Sequence, residues 1–332
     1  MSDHSKGPQP RCVVIGTGQI GTFAVRSFTH AGWSVTAADL APNTSYIRRF
    51  GRTDCPIQSV DVTDAAMVRA LFDHVGACDT VVFAAGLTGQ RTQADPSLAT
   101  DILLKGTESI ATAMRAKGIP RLVGVSSLAV YAAGQTSFES LREVEKPTGH
   151  VGVYGSVIRR MEAAMIALEG LSVGIARAAG VYGPNRYGHG SQSSQLVERL
   201  LYGAALKQPI SLQGHWQDRD DFIYARDLGD ALEKLARPGY PEGCEIINVG
   251  TGMTTCLREL IEAVEQSVGR VNVNLIAPDP SRAPLARPPL DTEWMLKRIG
   301  PPKFTLKEAL RDFAREVDLL TEPEVRPYAK QS

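Results

Sequence analysis

The sequence predicts an α/β protein: a doubly wound parallel sheet with a smaller mixed α/β lobe after it. Three observations lead there. Short β-branched runs alternate with helical stretches through the first half of the chain, and those runs are apolar on both faces. A glycine-rich turn joins the first run to the first helix. After about residue 180 the alternation gives way to Gly- and Pro-rich loops and a less regular mixture.

Taken in order, CVVIG is the first strand and Gln19 to Ala31 the first helix. SVTAAD follows as a strand bounded by Gly32 and Pro42. A helix over Ala65 to Val75, the strand TVVFAAG, a helix over Pro96 to Lys117 and the strand RLVGVSS continue the series. A helix from about Val153 to Glu169 and a strand from Leu171 to Arg177 close it. GVYGPNRYGHGS then reads as a loop. It is followed by a helix over Gln192 to Ala205, the strand ISLQG, the run DFIYARDLGDALEKL, the strand EIINVG and a helix from Thr255. DPSRAPLARPPL is irregular by its prolines. Thr305 and Glu308 form a capping box ahead of the stripe Leu306, Leu310, Phe313 and Val317. The expected domains are residues 1–180 and 181–332, with some chain crossing between them.

Composition narrows the function classes. The 332 residues carry 36 Lys plus Arg against 36 Asp plus Glu, so no basic field favours nucleic acid. The five cysteines are odd in number and include no Cys-x-x-Cys pair, which argues against a disulfide framework or a metal site. They read as buried or semi-buried free thiols. The polar start MSDHSKGPQPR is unlike a signal peptide, and no apolar stretch is long enough to span a membrane, so a cytoplasmic location is expected.

The strongest motif is Gly16-Thr-Gly18-Gln19-Ile20-Gly21, which follows the first strand and opens the first helix. Glycines there allow a tight turn and close approach of backbone to a pyrophosphate, and the helix N-terminus offers free N–H donors. Asp39 ends the second strand, 18 residues past Gly21, where a carboxylate accepts from ribose hydroxyls and repels a 2′-phosphate. NAD is therefore favoured over NADP; Arg48 and Arg49 could reach a 2′-phosphate, but they lie within or beyond the next helix. Asp61 and Val62 sit like an adenine-edge pair, with a helix cap as the other reading of Asp61.

These segments, in register, resemble the extended short-chain dehydrogenase/reductase family, in its NAD-dependent epimerase/dehydratase group. GTGQIG, Asp39, DVTD, VVFAAG, KGTESI, GVSSLAVY, Tyr154-Gly155-Ser156, ARAAGVYGP, DRDDFIYARDL, INVGTG and LDTEWMLKRIG all fall in the family's order. The resemblance implies a Rossmann fold, bound NAD and a small hydroxylated substrate such as a nucleotide sugar, oxidised transiently to a ketone. It assigns Ala84, Ala85 and Gly86 to the cofactor. Ser127 becomes the hydroxyl that bonds the reacting oxygen, and Tyr154 the proton-transfer group beside the cofactor. It also implies a homodimer built from the fourth and fifth helices.

The chain departs from the family at three places. Where the family has Lys four residues after its Tyr, this sequence has Ile158. An unperturbed Tyr has a pKa of about 10, so about one in a thousand is ionised at neutral pH. Losing a neighbouring cation costs about tenfold to a thousandfold in available base. On a helix Ile158 shares the face of Tyr154 and continues the stripe to Met161, Met165 and Leu168, so it reads as packing. His150, or Lys146 in the same loop, could supply the missing proton chemistry. The family's substrate-loop Asn is Gly180, and an Asn of its fourth helix is Leu103. Arg219 matches the family's diphosphate-binding Arg, with an ion pair to Asp218 or Asp220 as the plainer alternative. Three readings follow: an epimerase/dehydratase, a Lys-independent enzyme on a non-nucleotide metabolite, and a non-catalytic NAD-binding regulator.

Overall fold

The structure, a computed structural model, describes residues 9–131, 140–144, 149, 151–185, 190–237, 239, 243–276 and 284–319. Its contacts divide the chain into two units. One holds Met1–Ser126, Val153–Ala176 and Gly229–Ile246; the other holds Ser127–Gly152, Arg177–Leu228 and Ile247–Ser332. The chain passes between the units five times; four of these divisions fall within strands β5, β6 and β10 and helix α8, defined below, and the fifth just before α6.

The elements of the first series are β1 (Arg11–Ile15), α1 (Gln19–His30), β2 (Ser34–Asp39), α2 (Thr44–Gly51), β3 (Ile57–Ser59), α3 (Ala65–Val75) and β4 (Thr80–Phe83). They continue with α4 (Gly89–Ala94), α5 (Pro96–Lys117), β5 (Arg121–Ser127), α6 (Val153–Ile166) and β6 (Ser172–Ala178). The rest are β7 (Gly180–Tyr182), α7 (Gln192–Ala205), β8 (Ile210–Gln213), β9 (Arg219–Tyr224), α8 (Ala225–Ala236) and β10 (Gly243–Val249). The chain ends with β11 (Thr254–Cys256), α9 (Leu257–Ser267), β12 (Val273–Ile276), α10 (Glu293–Arg298) and α11 (Leu306–Glu316).

A seven-stranded sheet in the order β10-β6-β5-β4-β1-β2-β3 forms the centre. β1 pairs in parallel with β2 and β4, β2 with β3, and β4 with β5. All of β4, and all of β1 except Arg11, is buried, as strands covered by helices on both faces must be. Local chemistry sets the helix ends. The Asp64 carboxylate accepts from the first turn of α3, and Asp95 does the same for α5, with Pro96 at its first position. Gly118, at φ +65°, ends α5 in the left-handed region.

The second unit has a three-stranded sheet, β11-β9-β7, and a parallel pair, β12-β8. β7 runs parallel to β9 and β11 antiparallel to it. Their core gathers Tyr182, Leu200, Phe222, Tyr224, Leu260 and Phe313. The helix expected from Thr255 begins instead at Leu257. Thr254–Cys256 first pairs with Arg219–Asp221, and Cys256 and Glu259 then make the capping box that starts α9. The expected capping box of Thr305 and Glu308 starts α11.

Asp221 ties this unit together. It has no solvent exposure, and four donors converge on it. Oδ1 accepts from Thr251 N–H (3.0 Å) and Thr251 Oγ1 (2.8 Å), and Oδ2 from the N–H groups of Gly252 and Leu290 (3.2 Å each). Burial pushes its acid up to about 6 while these donors pull the other way. Asp221→Asn would turn an amide NH2 toward two of the N–H groups. The expected loss is about 2–4 kcal/mol, seen in calorimetry as a lower Tm with an unchanged far-UV spectrum.

Candidate active site

The glycine motif lies where β1 passes into α1. Gly16 adopts φ +92°, and its N–H donates to the Ala38 carbonyl (2.7 Å). A Cβ on Gly16 would lie 2.2 Å from the Ala85 nitrogen, so this turn sits directly on the backbone of Ala84 and Ala85 after β4. A Cβ on Gly21 would lie 1.8 Å from the Gly16 carbonyl oxygen. Gly18 differs from both. It is extended (φ −65°, ψ −160°), and a Cβ there meets nothing within 4 Å. The fold therefore needs glycine at 16 and 21, whereas at 18 the open space belongs to whatever approaches the loop.

Gly18 is also the N-cap of α1, and no side chain caps it. The first-turn N–H groups of Gln19, Ile20 and Gly21 precede the first intrahelical bond, from Thr22 to the Gly18 carbonyl (3.0 Å). Asp39 closes the turn from the side. Its Oδ2 accepts from Thr17 N–H (2.6 Å) and Thr17 Oγ1 (3.3 Å), and its Oδ1 from Ala41 N–H (3.1 Å). An ionised carboxylate has about four acceptor positions, so one remains for a ligand hydroxyl. An uncapped helix end, open backbone beside it and a carboxylate with spare capacity fit a dinucleotide.

Around this cradle, Asp61 Oδ1 accepts from Thr63 N–H (2.9 Å) and Thr63 Oγ1 (2.7 Å). It shapes the turn before α3, whereas the cap of α3 is Asp64. Val62 is buried, close to the position a Gly106 Cβ would take. Gly86 is exposed, and Ala84 and Ala85 are half-buried. Tyr154, in the first turn of α6, is half-buried with its ring against Gly89 at the start of α4; a Cβ there would sit 3.8 Å from Tyr154 Cγ. Ile158 is 5% exposed and packs in the buried stripe with Met161 and Met165. Further along that stripe, Glu162 is buried and accepts from Ser126 Oγ (2.5 Å), a pairing that sequence spacing does not reveal.

In the second unit, Ser127 ends β5 and caps a short 3-10 turn over Leu128–Val130, its Oγ accepting from Ala129 N–H (3.2 Å). Gly180 opens β7 at a crowded point: a Cβ there would lie 2.7 Å from Ser193 Oγ, so an asparagine does not fit without rearrangement. Arg219 does not pair with either flanking acid. Asp218 accepts from the N–H groups of His215 and Leu285, and Asp220 bonds Arg287 (2.9 Å). The half-buried Arg219 guanidinium makes no hydrogen bond to a described residue, although it lies near enough to Glu259 to help hold that acid below the usual range, behind the larger effect of the Cys256 N–H. Leu103 is buried on α5. His150 and Lys146 lie outside the described residues. None of the five cysteines forms a disulfide; Cys12 and Cys78 are buried, and Cys244 is exposed.

The family model of the NAD dependent epimerase/dehydratase family matches residues 12–250. The chain belongs to this family. It is therefore an enzyme of the extended short-chain dehydrogenase/reductase type. It is 27% identical over 292 residues to UDP-glucose 4-epimerase 2 of Oryza sativa subsp. japonica, covering 79% of this chain and 70% of the relative. It is 28% identical over 259 residues to UDP-glucose 4-epimerase of Mycolicibacterium smegmatis, covering 75% and 79%. Among solved structures, UDP-glucose-4-epimerase from Stenotrophomonas maltophila with bound NAD and formylated UDP-arabinopyranose superposes with a TM-score of 0.82 at 21% identity, over 95% of this chain and 99% of that one. A dTDP-glucose 4,6-dehydratase from Streptomyces venezuelae with NAD bound gives 0.76 at 22% identity, over 93% and 97%. At such identities these structures establish the shared fold of the epimerase/dehydratase family. No helix among the described residues is long and apolar enough to cross a membrane.

The two glycine environments separate folding from binding. Gly18→Ala should leave the Tm of the free protein nearly unchanged, because the entropy it removes from the unfolded chain is offset by alanine being a poorer N-cap than glycine, while losing most of the Tm increase produced by millimolar NAD. Gly21→Ala should destabilise the free protein by about 1–3 kcal/mol or more, seen as a lower Tm. Thermal scans with and without NAD distinguish the two.

Proposed function

We propose that this protein is an NAD-dependent epimerase acting on a nucleotide sugar, or a similar hydroxylated metabolite, through a transient ketone. The observation that carries the reading is the cradle at the start of α1: an uncapped helix end beside an open Gly18 and an Asp39 with one acceptor position left. The UDP-glucose 4-epimerases among the curated relatives support the substrate class. Bound NAD would supply reversible hydride transfer.

The chain's own groups handle the proton. Tyr154 takes the proton of the substrate hydroxyl as its carbon is oxidised and gives it back on reduction. Ser127 accepts the Ala129 N–H, which leaves its own hydrogen to be donated to a substrate oxygen. Arg219, without a hydrogen-bond partner among the described residues, offers a guanidinium fork to an anionic substituent such as a diphosphate. Epimerisation is favoured over dehydration because the curated relatives named above are 4-epimerases. Homodimerisation belongs to the same proposal: α5 and α6 pack together and leave Leu98, Val153 and Ile166 exposed, and light scattering should return twice the chain mass.

Buried Ile158 supports a second reading, an enzyme whose proton transfer works without a cation beside Tyr154. Interconversion of UDP-glucose and UDP-galactose by the NAD-loaded protein separates the two. Tyr154→Phe should lower kcat by about a hundredfold or more, and unchanged turnover rejects the role of Tyr154. Ile158→Lys should raise kcat by about tenfold to a thousandfold if the missing cation limits the rate. A fall in kcat would favour the Lys-independent reading.

A further inference from the structure

Ser127 hangs on a turn whose far end is anchored more elaborately than packing requires. Leu128 and Val130 are buried and would hold the turn by themselves. Yet the turn closes on Tyr131, whose N–H donates to the Leu128 carbonyl (3.1 Å) and whose side chain enters a buried polar chain. The Tyr131 hydroxyl donates to Asn248 Oδ1 (2.8 Å) and accepts from Arg177 Nη1 (2.9 Å). The Arg177 guanidinium also lies over the Tyr131 ring, 5.0 Å from its centre. Arg177 is 2% exposed and Asn248 not at all.

Asn248 is fixed in turn. Its Nδ2 donates to the carbonyls of Leu141 (2.8 Å) and Asp291 (3.1 Å), and its N–H to the Glu143 carboxylate (2.8 Å). Every polar atom of the Asn248 side chain is therefore used, and the Tyr131 hydroxyl has one donor direction and one acceptor direction, both taken. A buried network satisfied in this way specifies one geometry, whereas an apolar contact would tolerate several. At the other end of the turn, Ala129 N–H occupies one lone pair of Ser127 Oγ and so sets where the Ser127 hydrogen can point.

We propose that Tyr131 is a positioning residue: the Arg177–Tyr131–Asn248 chain fixes the Leu128–Val130 turn, and the turn aims the Ser127 hydroxyl at the substrate oxygen. The proposal rests on the reading of Ser127 as a donor to substrate. Removing the Tyr131 hydroxyl leaves the ring and its stacking with Arg177 in place, so the loss falls on orientation first.

The test compares wild type, Tyr131→Phe, Ser127→Ala and the double variant, each loaded with NAD and supplied with UDP-glucose. Tyr131→Phe is expected to lower kcat by about tenfold with KM within twofold, and to have no further effect once Ser127 is Ala. Multiplying effects, or an unchanged kcat in Tyr131→Phe, overturn the proposal. Amide exchange read by mass spectrometry decides it even if wild type does not turn over UDP-glucose, an outcome that counts against the epimerase reading alone. In that case Tyr131→Phe should raise exchange at Ala129 at least tenfold with the glycine loop unchanged, and unchanged exchange at Ala129 overturns the proposal. If Tyr131→Phe fails to fold, wild type itself answers. Its Ala129 amide should exchange at least a hundredfold more slowly than an unstructured amide, and exchange at the unstructured rate overturns the proposal.

Discussion

The first turn of α1 passes so close to the Gly16 carbonyl that no side chain fits at Gly21. That contact brings an uncapped helix end against the turn from β1, and much else is arranged around it. Gly16 must take a positive φ to lie on Ala84 and Ala85. Asp39 must stand at the end of β2 to hold Thr17. Parallel pairing of β1 with β2 and β4 supplies both neighbours at the same level of the sheet. The anion affinity expected of this chain thus comes from oriented N–H groups and a helix dipole, which is why a protein of zero net charge can bind a dinucleotide.

The second unit is organised differently. Where the dinucleotide loop relies on backbone, this unit relies on buried polar side chains that join distant segments. Asp221 gathers Thr251, Gly252 and Leu290, and Asn248 gathers Leu141, Glu143, Tyr131 and Asp291. The Asp220–Arg287 pair joins β9 to the Pro-rich segment in the same way. Such networks are costly unless complete, and complete ones give a single arrangement. That suits a unit whose proposed task is to present Ser127 and Arg219 at fixed angles.

The sequence carried the first series well because its signals are local. Hydrophobic runs of the right length mark the strands, and the helix ranges read between them end within a turn of the caps the structure shows, Asp64, Asp95 and Gly118. The start of α9 was missed because Thr254–Cys256 prefers a partner strand more than 30 residues away, which periodicity cannot show. The Asp221 and Asn248 networks were invisible for the same reason: their partners are separated by as many as 117 residues. The alternatives for Arg219 could be weighed only once Asp220 was found on Arg287. Ile158 was legible from both sides, as a vacancy in a motif and as a member of an apolar stripe. The structure supports the stripe by burying it.

On the reading proposed above, the β1–α1 turn with Asp39 forms a dinucleotide cradle selective for a free 2′-hydroxyl. Isothermal titration of the purified, nucleotide-stripped protein with NAD and with NADP tests this most directly. Saturable binding of NAD with one site per chain is expected, with NADP at least about tenfold weaker, since a 2′-phosphate would meet the Asp39 carboxylate. Equal or tighter binding of NADP, or no binding of NAD, would contradict it.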